Sequence, residues 1–285
     1  MIAVGLACLS ALLFGAMSVG LRIGLTRHRD ADLATLATVA GALAVGLVVA
    51  AAEAPARGVH ADSAWPFVLA GLLSPGAAQV LVTLAIAEVG ASRASVILGA
   101  APLVSVTIAL LVLGEPARAP LVVGAVLIVA GGLELARERG RPAHLRGRGL
   151  LYAFLGAALF ATRDNLLRWL SLDTPVPPAV AAACALLGGF VLSALLLAPR
   201  LRSPTLRHAA PFLGVGVLFG LSYISLFEAF YRGRVTVVSP LVATESLWGV
   251  ALSVLLLRRT ELVGRRLLLG TLLVVAGGAL IGVFR

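Results

Sequence analysis

Ala136-Arg137-Glu138-Arg139-Gly140-Arg141-Pro142-Ala143-His144-Leu145-Arg146-Gly147-Arg148-Gly149 sits almost at the centre of a 285-residue chain and is its longest strongly polar run. Five arginines, one proline and three glycines make it a poor helix former and a good exposed linker. On either side lies an apolar half of similar length. The division into residues 1–136, a basic linker 137–149 and residues 150–285 organises the rest of the reading.

The halves are too apolar for a soluble core. Apolar residues make up 60% of the chain, charged residues 13%, and the mean hydropathy is +1.04. Lipid is the natural solvent for such side chains. The net charge of +10 comes from arginine alone, with no lysine. These arginines fall between apolar segments, so membrane orientation explains them and nucleic-acid binding does not. Cys8 and Cys184 lie in apolar segments without a CxxC partner, which argues against a disulfide framework or a metal site. The first apolar run is of full membrane length and has no basic stretch before it, so a cleaved signal peptide is not expected.

A spanning helix needs about 20 mostly apolar residues. That ruler gives ten segments: Ile2–Gly24, Leu33–Ala52, Trp65–Ala87, Ser92–Leu113, Pro120–Ala136, Leu150–Ser171, Pro178–Ala198, Ala209–Tyr231, Val235–Leu257 and Arg266–Phe284. Short connections rich in turn and charge signals separate them. The two halves superpose at one sequence offset of 146. Leu13-Phe14-Gly15 with Leu21-Arg22 falls on Leu159-Phe160-Ala161 with Leu167-Arg168. Gly124 and Val129-Ala130-Gly131-Gly132 fall on Gly270 and Val275-Ala276-Gly277-Gly278, and Glu115 falls on Glu261. Five helices per half is an odd number, so related halves would sit upside down to one another, as in many secondary transporters. The expected fold is an all-α integral membrane protein of ten transmembrane helices in two inverted five-helix repeats. Small residues four apart (Ala11/Gly15, Gly20/Gly24, Gly216/Gly220, Gly278/Gly282) predict close helix crossings.

The pattern resembles the drug/metabolite transporter superfamily, specifically its ten-helix EamA-type members. The first half carries Ala101-Pro102-Leu103-Val104, then Leu111-Val112-Leu113-Gly114-Glu115, then the glycine-rich Val129-Ala130-Gly131-Gly132. The second half departs, with Thr244-Glu245-Ser246-Leu247 at the proline position and a longer turn, Leu257-Arg258-Arg259-Thr260-Glu261. The resemblance implies a central cavity lined by segments one, three, four, six, eight and nine.

The repeat is symmetric in shape and asymmetric in chemistry. Every acid of the first half lies in a connection or near a helix end, whereas the second half buries several. Glu245 falls near the middle of the ninth segment, where a charge is costly and usually functional. It reads as a site for a substrate amine or a proton, or else as an ion pair with Arg163. Asp164 and Arg168, four apart, are expected to pair along one helix face, as are Glu228 and Arg232. Arg163 then needs another partner: Glu245, Glu228 or an anionic substrate. Asn165 adds an amide beside them. Candidate cavity-lining residues are Gln79 and Thr83 on the third segment, Ser222, Tyr223 and Ser225 on the eighth, and Trp248 on the ninth. Ser239-Pro240 and Ser74-Pro75-Gly76 are expected to interrupt their helices and free carbonyls.

His28, His60, His144 and His208 all fall in connections, against a histidine relay or a membrane-buried metal site. No HExxH, GxSxG or phosphate loop occurs, so no metal or cofactor is implied. The leading expectation is therefore a multi-pass secondary transporter of the cytoplasmic (inner) membrane. It would move a small organic solute (a metabolite, an amino-acid-like compound or a drug) by alternating access, with protons as a candidate coupling ion. An intramembrane enzyme using Asp164 and Glu245, and a non-transporting sensor or scaffold, are the other classes weighed. The expected partners are the bilayer and the solute, with homo-oligomerisation left open. Arginines crowd the odd-numbered connections, whereas the even-numbered ones hold Arg57, Arg118, Arg232 and Arg234. Positive-inside bias then places the linker in the cytoplasm and both termini outside. A reporter active only in the cytoplasm, fused after Arg285, should be silent; an active fusion reverses the orientation.

Overall fold

The computed structural model describes residues 1–28, 30–89, 98, 101–136, 147–201, 206–256 and 265–284. Among them there are helices and no strands, as expected for apolar runs that must satisfy their own backbone hydrogen bonds in lipid. The first half contains α1 (Ile2–Arg27), α2 (Ala31–Arg57), α3 (Ala61–Gly71), a π-helical turn (Leu72–Ala77), α4 (Ala78–Val89), α5 (Ala101–Leu111) and α6 (Ala119–Ala136). The second contains α7 (Gly147–Ser171), α8 (Pro178–Leu197), α9 (Leu206–Arg232), α10 (Val235–Val242), α11 (Glu245–Leu256) and α12 (Arg265–Phe284). Among the described residues, six helices are long and apolar enough to cross a membrane, and Ala101–Leu111, Ala119–Gly131 and Leu272–Ile281 are shorter apolar ones. Ten full spans are not all visible in this form. The ninth segment is split, and parts of segments four and nine, most of the linker, and Glu261 lie outside the described residues.

Both expected interruptions occur. Ser74 has an extended backbone (φ −150°, ψ 122°) inside the π turn. The second break comes after Val242 and not at Pro240, because the Thr244 hydroxyl donates to the Leu241 carbonyl at 2.6 Å and ends α10 there. Helix resumes at Glu245.

The halves interlock in a two-fold pattern. α1 packs on α9 as α4 packs on α7; α2 packs on α9 as α3 packs on α8; α1 meets α11 as α5 meets α7. α6 packs on α12, its own counterpart. There a methyl group on Gly124 would stand 2.9 Å from the Gly277 carbonyl, and one on Gly131 would stand 2.6 Å from the Gly270 carbonyl. Each glycine thus faces the partner of the other under the offset of 146. The pairing runs up one helix and down the other, so the two equivalent helices are antiparallel. The duplication read in the sequence is in this way a physical contact. The other small-residue pairs also seat crossings: Gly15 against α11, Gly20 and Gly24 against α9, and Gly216 and Gly220 against α2. Gly278 is the exception, with a lone distant contact to Leu241.

In the α6–α12 contact, van der Waals approach substitutes for the hydrophobic effect. Gly277→Leu should therefore destabilise the protein by about 1–3 kcal/mol, the scale of overpacking in a filled interior. It should lower the detergent melting temperature, whereas Gly5→Leu, at a glycine with open space beside it, should not. Equal melting temperatures for the two variants would refute the close-packed crossing.

Candidate functional site

The site is built around two adjacent residues of α7. Arg163 and Asp164 are 6% and 5% exposed, although side chains one residue apart on a helix start about 100° from each other. The long arginine curls back: its Nε and Nη2 both donate to Asp164 Oδ1 at 2.9 Å. Its guanidinium lies over the Phe160 ring at 5.3 Å and the Tyr223 ring at 5.4 Å. The other oxygen of Asp164, Oδ2, accepts from the Ser239 hydroxyl of α10 at 2.7 Å. The expected Asp164–Arg168 pair is thereby corrected. Arg168 donates to the Phe230 carbonyl at 2.9 Å instead, near the end of α9, where cations meet the exposed carbonyls of a helix C-terminus. Charge matching inside an apolar bundle outranks the i,i+4 spacing, because a guanidinium so little exposed needs a carboxylate within reach.

Around this pair the two halves exchange hydrogen bonds. Tyr223 Oη donates to the Ser74 carbonyl, which the break in the third segment sets free. The Ser222 hydroxyl donates to the Ser10 carbonyl at 2.9 Å, and the two hydroxyls lie 3.1 Å apart. Asn165 Nδ2 donates to the Ser105 carbonyl at 3.0 Å and the Ala161 carbonyl at 2.9 Å. Asn165 is thus a buried strut between α7 and α5.

Arg163 and Asp164 line a cavity. Its walls come from both halves: Ser10 and Phe14 of α1 and Pro102 of α5, against Phe160 of α7, Tyr223 of α9 and Glu245 of α11. Glu245 is the first residue of α11, beside the break, and not mid-helix as its place in the apolar run suggested. Among the described residues no hydrogen bond or ion pair within 4.0 Å engages its carboxylate, and the expected Arg163–Glu245 pair is not formed. The start of a helix favours negative charge, so the break gives Glu245 a local electrostatic reason to sit there.

The other expected site residues separate by position. Ser222 and Tyr223 line the cavity; Ser225, bonded to the Leu221 carbonyl at 2.9 Å, does not. Trp248 sits at the α1–α11 crossing, its Cβ 2.9 Å from where a methyl on Gly15 would be. Gln79 and Thr83 are fully buried outside the cavity lining, and their polar atoms have no hydrogen-bond partner among the described residues. Glu228 pairs with Arg232 as expected, and also with Arg57 at 3.4 Å. That cluster lies at the end of the bundle, away from the cavity. Sequence reasoning passed over Ser10, Phe14 and Phe160, whose types are ordinary in apolar helices. It read Ser239 only as part of a helix break.

A family model for the EamA-like transporter family matches residues 1–134 and again residues 147–283, one copy on each half. The chain belongs to the EamA-like transporter family. It is accordingly a multi-pass membrane protein of a family of transporters. The match to two tandem copies of one family unit agrees with the antiparallel α6–α12 contact. Among solved structures, 23 chains match; one, a crystal structure of a protein 21% identical, covers 99% of this chain and 96% of that chain with a TM-score of 0.80. At that identity the likeness speaks for the fold alone. No curated protein matches the chain.

Removing one member of the Arg163–Asp164 pair leaves a buried charge uncompensated. Asp164→Asn should cost about 3–5 kcal/mol and appear as lost expression or a lower melting temperature. Adding Arg163→Leu should recover much of that loss. Failure of the double variant to melt above the single one would show that the pair is not the interaction holding α7 in place.

Proposed function

We propose that this EamA-family protein is a secondary transporter of a small organic solute carrying an amine, working by alternating access in the cytoplasmic membrane. The observation that supports this reading is a cavity shared by both halves, whose wall includes the Glu245 carboxylate with no hydrogen bond or ion pair among the described residues. Arg163 and Asp164 neutralise each other, and both oxygens of Asp164 are occupied. Glu245 is then the formal charge the cavity has left to offer. An ammonium group or a proton would satisfy it, and competition between the two for one carboxylate is a physical basis for exchange.

The two-fold interlocking supports alternating access in ten spans, since inverted halves can trade conformations and open either end of a shared cavity. The engaged oxygens of Asp164 speak against an acid–base enzyme. A general base needs a lone pair free to reach its proton, and Asp164 spends both oxygens on Arg163 and Ser239.

Proteoliposomes loaded with candidate amines should show counterflow of labelled solute. A sensor, scaffold or enzyme gives none, however tightly it binds. Glu245→Gln should keep a melting temperature near that of the unaltered protein, because no ion pair is broken, and reduce counterflow at least about tenfold. Normal counterflow by Glu245→Gln across the pH range would remove the carboxylate from the mechanism.

A further inference from the structure

Glu115 stands in the connection after α5, at the end of the bundle where residues 3, 118, 233 and 284 also gather. Its carboxylate leaves its own half. Oε1 accepts the Val235 amide and Oε2 the Thr236 amide, both at 2.9 Å, which are the first two backbone donors of α10. The aim is set locally: α5 ends at Leu111, and Gly114, whose φ of +63° suits glycine, turns the chain just before Glu115. A carboxylate on the first amides of a helix is a charge-assisted cap.

α10 is the element that carries the site. Ser239 of this helix holds Asp164, and Glu245 follows its broken end. Between the cavity and the Glu115 end lies a filled layer of Ala7, Phe230, Val235 and Val238, each with no exposed surface. Arg168 adds a second tie at the same level, from α7 to the Phe230 carbonyl of α9.

We propose that Glu115 is a positioning residue that latches the first half to α10, holding the cavity shut toward this end of the bundle. The inference rests on the transporter reading of the cavity, and opening that end requires the two amides to leave the carboxylate. The strength is suited to a latch. Losing a hydrogen bond to a charged group shifts an equilibrium by about tenfold or more, which biases a two-state element without freezing it.

Amide hydrogen exchange on the purified full-length protein, read peptide by peptide, tests this without a known solute. Two variants break the latch from opposite sides. Glu115→Ala removes the acceptor. Val235→Pro removes one donor while keeping a residue favoured at the first position of a helix, after an Arg234 already extended (ψ 152°). Both should raise exchange about tenfold in the cavity-facing peptides around Leu241–Glu245 and Phe160–Asp164, and Glu115→Asp should restore part of the protection. Exchange raised only over the first turn of α10, residues 235–238, would show a mere helix cap and overturn the proposal. No change in either variant would overturn it too. Counterflow distinguishes the two levels of the argument. If exchange spreads as expected but the unaltered protein shows no counterflow, the latch stands and the transport reading fails. If counterflow is normal and exchange stays local, the latch alone fails.

Discussion

A charged pair buried inside an apolar bundle governs this architecture. Arg163 and Asp164 are only 6% and 5% exposed where they sit, so protein must satisfy most of their polar atoms. Two nitrogens of the guanidinium meet one carboxylate oxygen, two aromatic rings cover its faces, and a serine of another helix takes the second oxygen. These demands recruit α7, α9 and α10 to one point. Because the pair closes on itself, the neighbouring Glu245 carboxylate has no hydrogen bond or ion pair among the described residues, and it adds a polar group to the cavity wall.

Two backbone breaks shape the surroundings of the pair. At Ser74 the third segment leaves helical geometry, and its carbonyl is taken by Tyr223, the same ring that covers Arg163. At Thr244 a side-chain hydroxyl competes for the Leu241 carbonyl, and the restart of helix places Glu245 at a fresh N-terminus. Breaks of this kind are tolerated at membrane depth where they are buried in protein or line a cavity. One break comes from each half, and both converge on α7 and its arginine. The two-fold contact of α6 with α12 stands apart from this chemistry, its glycines bringing the two backbones together.

Much of this was legible in the residues. The offset that aligned Gly124 with Gly270 and Gly131 with Gly277 reappears as the physical crossing of α6 and α12, because glycine is kept where backbones touch. Arg163, Asp164 and Glu245 stood out since ionisable groups are rare in lipid-embedded helices, and all three face one cavity. Their pairing was misread. Helical spacing ranks Asp164 with Arg168, but a flexible arginine inside a dry bundle takes the nearest carboxylate. Glu115 was read as a landmark of the repeat and of the family pattern but not as a cap, for its partners are backbone amides 120 residues away and amides leave no mark in a sequence. Ser10, Phe14 and Phe160 escaped for a similar reason: a lining residue is defined by where its helix turns, and these types are common on every face.

The central claim is that the cavity belongs to a conformational cycle and opens to each side of the membrane in turn. It is tested most directly with a single cysteine at Val242, on the cavity wall, in a protein whose Cys8 and Cys184 are replaced. Sealed vesicles of both orientations are treated with a membrane-impermeant thiol reagent. The account predicts labelling from each face, with solute or a pH step shifting the balance between them. Labelling from one face only, unchanged by either treatment, would contradict it.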